Sequence, residues 1–208
     1  MTDPHRLRFP RAATVVLLST AMAVAGCMHS NAPRNDGTDA TTDTSTPQAL
    51  APPTTAAEMG RHFLKLIGSI ESRDEVTLER IRALTGISMA VKPGDLGAGF
   101  TSEPLGGGWF FGLTYYPGSP SSPTGISLHF QHEAERFADM SPVCELDFDY
   151  YHDALKAMGF DDTPIHGEIG ELREWRYYKS DFVISVVPQN VVAGQAGRVC
   201  VQAIGTLN

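Results

Sequence analysis

Three cysteines, a histidine pair and a run of carboxylates are the residues in this 208-residue sequence whose types could do chemistry. Cys27 closes the tetrapeptide Val24-Ala25-Gly26-Cys27, while Cys144 and Cys200 stand alone in the second half of the chain. His132-Glu133-Ala134-Glu135-Arg136 falls one residue short of the zinc-protease pattern HExxH, because a cation occupies the position of the second imidazole. On a strand, His129 and Gln131 share one face while Phe130 and His132 share the other, so the two imidazoles diverge and no metal site is expected. The carboxylates Glu145, Asp147, Asp149, Asp153, Asp161 and Asp162 lack the glycine and closing glutamate of a calcium loop. They read instead as the start of a helix. Asp147, Asp149 and Asp153, together with an exposed aromatic such as Trp109, are the candidate docking residues for a basic protein. The hydrolase turn GxSxG is missing its second glycine at both "GISMA" and "GISLH", and no GxxxxGK[ST] phosphate loop occurs, so neither a nucleophile nor a cofactor is expected.

Cys27 is preceded by an export signal. "MTDPHRLRFPR" carries three arginines against one aspartate, and "AATVVLLSTAMAVA" carries no charge. A positive segment followed by a short apolar one is the order of a secretory leader, and the apolar run falls short of the roughly 20 residues that span a bilayer. The four residues Val24-Ala25-Gly26-Cys27 resemble the bacterial lipobox. That resemblance implies cleavage before Cys27 by lipoprotein signal peptidase, with residues 1–26 removed and the Cys27 thiol carrying a diacylglyceryl group. Each buried methylene contributes about 0.8 kcal/mol, so more than one acyl chain gives stable anchoring to the lipid bilayer. Met28 stands where inner-membrane retention would call for aspartate, which favours the outer membrane, facing the periplasm.

An odd cysteine count in an exported protein leaves one thiol to be explained, and lipidation of Cys27 explains it. Cys144 and Cys200 then form the pair expected to bridge in an oxidising compartment. Loss of the leader leaves 13 basic and 23 acidic side chains of the chain's 16 and 24, a balance of −10. Such acidity opposes nucleic acid and anionic lipid headgroups, and it speeds encounter with a basic partner.

Residues 27–57, rich in Thr, Ala, Pro, Asp and Ser, have too little apolar surface to offset ordering entropy and read as a tether. The globular domain is expected over 58–208. Met59, Phe63, Leu66, Ile67 and Ile70 recur at helical spacing, as do Val76, Leu78, Ile81 and Leu84. Ser72 or Asp74 would cap the second of these helices and Gly86 would end it. "WFFGLTYY" and "GISLHFQH" read as strands across a proline-rich turn, and "PVCEL" as a short strand leading to a helix capped by Asp147 and stopped at Gly159. "LREWRYY", "FVISVVP" and "GRVCVQAIG" are the remaining strands. Leu84-Thr85-Gly86-Ile87 with the later Trp109 echoes Ala157-Met158-Gly159-Phe160 with Trp175, an internal repeat of helix, glycine, loop, tryptophan and two strands. The fold class is α+β, an N-terminal helix pair and a further helix packed on an antiparallel sheet with one disulfide. It looks somewhat like the helix-helix-sheet arrangement of outer-membrane assembly lipoproteins and of a secreted β-lactamase inhibitor.

Three function classes compete, and an enzyme comes third because no nucleophile, base and orienter can be named together. In general design the chain resembles the lipid-anchored immunity proteins that neutralise antibacterial effectors delivered into the periplasm, which implies a basic effector or hydrolase as partner. The alternative is an envelope assembly or scaffolding lipoprotein.

Overall fold

The computed structural model describes residues 50–189 and 197–207 of the chain. The expected leader, Cys27 and the tether up to residue 49 lie outside the described residues.

The first helix, α1 (Ala56–Gly68), starts on a reciprocal cap. The Thr55 hydroxyl accepts from the Glu58 amide at 3.1 Å, and the Glu58 carboxylate accepts from the Thr54 and Thr55 amides at 2.8 and 3.2 Å. The hydrogen bonds from Thr54 hold the Glu58 carboxyl below its ordinary range. Ala56 and Ala57 are buried, so the packed part of α1 includes the two residues before 58. Met59, Phe63, Leu66 and Ile67 supply the buried stripe.

The expected second helix is shorter than its periodicity. Arg73–Glu75 is one 3-10 turn, Val76 is extended, and α2 (Leu78–Thr85) opens only at Thr77, whose hydroxyl accepts from the Arg80 amide. Gly86 ends it in the left-handed region, φ +74°, with the Ala51 carbonyl oxygen 2.5 Å from where a Cβ would stand. The third helix, α3 (Phe148–Ala157), is capped by Asp147, whose side chain accepts from the Tyr150 amide.

Seven strands follow in chain order: β1 (Ala98–Thr101), β2 (Trp109–Tyr116), β3 (Gly125–His132), β4 (Asp161–His166), β5 (Leu172–Lys179), β6 (Phe182–Gln189) and β7 (Cys200–Thr206). They form one antiparallel sheet in the order β1-β2-β3-β7-β6-β5-β4, two meanders joined where β3 meets β7. The architecture is α+β. The joint is narrow, with Ser127–His129 pairing against Ala203–Gly205. Gly205 permits it, since a Cβ there would lie 2.6 Å from that of Ser127. Arg73 straps its end by donating to the Thr124 and Leu207 carbonyls.

Alternation sorts the strand residues. Trp109, Phe111 and Leu113 of β2, Ile126, Leu128 and Phe130 of β3, Tyr177 of β5, Ile184 and Val186 of β6 and Ile204 of β7 point to the helices and form the core. At β2 and β3, Phe110, Gly112, Thr114 and Tyr116 face the opposite way, with His129 and Gln131 beside them. The helices pack closely on one another: a Cβ on Gly60 of α1 would stand 2.3 Å from the Tyr151 hydroxyl of α3.

The "PVCEL" segment is not a strand. Ser141–Val143 is a 3-10 turn: Pro142 has no amide for a ladder, and the Asp139 carboxylate accepts from the Ser141 amide and hydroxyl. Cys144 nevertheless bridges to Cys200, with Cα atoms 5.3 Å apart, and both are buried. The bridge closes a separation of 56 residues, worth about 4 kcal/mol in the chain-entropy description.

Candidate functional site

The corner where the disulfide, α3 and the start of β7 meet carries most of the acidic residues singled out from sequence. Asp147 is committed to structure: one carboxylate oxygen caps α3 and the other lies 3.5 Å from Arg198 Nε. Arg198 also donates to the Cys144 and Glu145 carbonyls at 2.5 and 3.0 Å, so it holds the lead-in to α3 against β7 beside the bridge. Glu145 lies 3.6 Å from Arg61 of α1, and Asp162 of β4 pairs with Lys156 at 2.6 Å. The Lys156 hydrogen bond holds the Asp162 carboxyl below the usual range.

Asp149 and Asp153 differ from these. Both are exposed on the solvent side of α3, one turn apart, with Tyr150 beside them and 43% exposed. Like charges at that spacing cost a few tenths of a kcal/mol, roughly the size of an opposite-charge pair. A cation seated between the two carboxylates reverses the sign of that interaction.

Behind this face lies a half-buried aromatic stack. Phe148 and His152 of α3 pack on Trp175 of β5 with ring centroids 5.5 and 5.7 Å apart, and His152 Nδ1 meets the Tyr177 hydroxyl at 2.9 Å. Tyr177 is itself fully buried, and desolvation pushes its phenol well above the ordinary range, so it stays neutral. The stack fixes the rotation of α3 on the sheet, and thereby the direction in which Asp149, Tyr150 and Asp153 project.

Trp109 does not belong to this face. It is 1% exposed, and its indole Nε1 donates to the Asp139 carbonyl at 2.9 Å. A β2 residue pointing to the helices is core, and the surface anchor expected there is corrected to a core residue. Tyr150 is the exposed aromatic that accompanies the acidic pair instead.

The histidines separate as the strand period requires. His129 lies over Gly112, where a Cβ would be 2.1 Å from its Nε2, and burial pushes its imidazole below the ordinary histidine range. His132, three residues on at the end of β3, lies on the opposite face, edge-on to Trp109. Among the described residues no three His, Cys, Asp or Glu side chains come together as metal ligands.

Two arrangements escaped sequence reasoning. Glu174 accepts from Arg176 at 2.8 Å and from the Ser185 hydroxyl, linking β5 to β6 across the sheet face away from the helices. The other is the set of contacts made by His132. Both depend on strand register, which no local pattern declares. Comparison with protein-family models, with curated proteins and with solved structures returns no match to this chain.

Proposed function

We propose that the protein is a lipoprotein anchored through acylated Cys27 on the periplasmic side of a membrane, the outer membrane in preference. Its domain binds and neutralises a basic protein such as a secreted antibacterial effector or hydrolase. The observation that carries the binding role is the exposed pair Asp149 and Asp153 flanking Tyr150, on a helix held in orientation by the stack beneath it. Aromatic anchors beside charges of one sign give a partner surface both contact area and charge complementarity. The address is supported by cysteine bookkeeping: Cys144 and Cys200 are joined, so Cys27 is the one remaining cysteine and the lipobox accounts for it.

A second reading, an envelope assembly scaffold, is favoured by the sheet face opposite the helices. That face carries Phe110, Tyr116 and Tyr178 beside polar side chains and could seat another protein.

Mass spectrometry of the membrane fraction tests the anchor: a mature N-terminus at Cys27 with attached acyl chains is expected, and an intact leader overturns it. Capture experiments with the detergent-solubilised full chain test the partner. Recovery of one basic hydrolase whose activity falls on binding supports the proposal. Asp149→Lys with Asp153→Lys is then expected to weaken capture at least tenfold, roughly 1.4 kcal/mol. Unchanged affinity removes the α3 face from the interface, and capture abolished by Tyr116→Ala or Tyr178→Ala with α3 intact favours the scaffold.

A further inference from the structure

We propose that His132 is a pH-operated clamp that holds the turn after β3 closed only while its imidazole is neutral. The ring uses both nitrogens. Its Nδ1 lies 3.2 Å from the Ala134 amide and 3.0 Å from the Glu135 amide, and its Nε2 lies 2.9 Å from the Gly107 carbonyl oxygen. Two backbone N–H groups can only donate, so Nδ1 must be the acceptor and the single ring proton sits on Nε2, donating to Gly107. One imidazole thus ties the glycine turn before β2 to the turn after β3. The Glu133 amide adds a backbone bond to the Gly108 carbonyl at 3.0 Å. The glycine turn takes this path because Gly106, Gly107 and Gly108 all have positive φ, and a Cβ on Gly108 would stand 2.7 Å from His132 Nε2.

Protonation and closure compete for one lone pair. A second ring proton has to bind at Nδ1, where it faces two donors and displaces both hydrogen bonds. Closure is therefore favoured at high pH and opposed as the ring gains its proton. The charged residues that line the hollow beside the ring are Glu133, Glu135 and Arg136 of its own turn. From β2 and the glycine turn it is faced by Trp109 and by backbone, and from β7 by the neutral Gln202. The released segment carries Phe137, 80% exposed with the Arg136 guanidinium 5.4 Å over its ring. An acidic medium would thus free a short loop with an apolar tip next to the buried Trp109. The clamp depends on local geometry alone and stands whichever membrane or partner the chain has.

Amide hydrogen exchange and 15N NMR on the full chain test this between about pH 8 and pH 5, the range in which histidine titrates. Protection factors of the Ala134 and Glu135 amides, corrected for intrinsic exchange, are expected to fall roughly tenfold or more as the His132 ring nitrogens titrate. His132→Asn keeps a side-chain acceptor two and three residues before those amides and cannot titrate, so it is expected to retain protection throughout. His132→Phe is expected to lack it at every pH. Protection that persists while the ring titrates overturns the clamp. An equal loss in His132→Asn overturns it too, by assigning the pH dependence to Glu133 or Glu135, and this comparison decides the matter even if His132→Phe does not fold.

Discussion

The two meanders, of three and four strands, each follow a helix and carry a tryptophan on their second strand, and they bury these parts differently. In the first, α2 ends at Gly86 and the second strand carries Trp109. In the second, α3 ends at the turn through Gly159 and the second strand carries Trp175. Trp109 is sealed in the core with its N–H bonded to Asp139, whereas Trp175 is half-buried under Phe148 and His152. The cause is the number of elements above each sheet half. Residues of α1 and α2 join β2 and β3 in the core, while β5 receives α3 and the edge strand β4 is mostly exposed. Position in a motif thus sets which face a side chain takes, and the covering layer sets whether that face is dry.

Paired substitutions at equivalent positions break or sharpen this comparison. The largest effect is expected at the tryptophans: Trp109→Ala should cost about 4 kcal/mol and Trp175→Ala about 2, read by chemical denaturation. Equal losses would mean that the second half is as tightly sealed as the first. The glycines come next. Gly86 (φ +74°) has the Ala51 carbonyl in the space a Cβ needs, whereas Gly159 (φ +86°) has nothing within 4 Å. Gly159→Ala should cost about 1 kcal/mol for the left-handed backbone alone, and Gly86→Ala about 2 or more. Shortening the chain to begin at residue 58 rather than 50 should lower stability by about 1 to 2 kcal/mol through loss of the Thr55 cap and of the buried Ala56 and Ala57. That loss should fall on α1 and leave the α3–β4 side intact, as amide exchange would report.

The smallest effect concerns the tie peculiar to the second half. Because the folded Asp162 carboxyl is held low by Lys156, its contribution is complete above the ordinary carboxylate range. It is lost as pH falls through the depressed value. Both side chains are partly exposed, so Lys156→Met should remove only a shallow acid dependence from thermal unfolding, and a steep remaining one would point to other carboxylates.

Much of this was legible in the sequence. The strands "WFFGLTYY" and "GISLHFQH" are β2 and β3 to the residue, because alternation and bounding prolines act within a few positions. The Asp147 cap and the Gly86 stop were equally local. Thr55-Ala56-Ala57-Glu58 is a capping-box pattern, and its spacing marks the start of α1 at Ala56. Val76 misled because it is buried and falls at helical spacing, yet its burial is satisfied in an extended link between two short helical turns.

What the chain alone determined is whatever depends on neighbours a few residues apart: caps, stops, strand period and the charge. Which strand lies beside which was decided only in three dimensions. The insertion of β7 between β3 and β6 rests on Gly205 admitting Ser127 and on Arg73 reaching two distant carbonyls. So did the fate of the aromatics, since alternation gives Trp109 and Trp175 the same face. The helices packed above that face, brought there by contacts remote in sequence, made one of them core and left the other half in water.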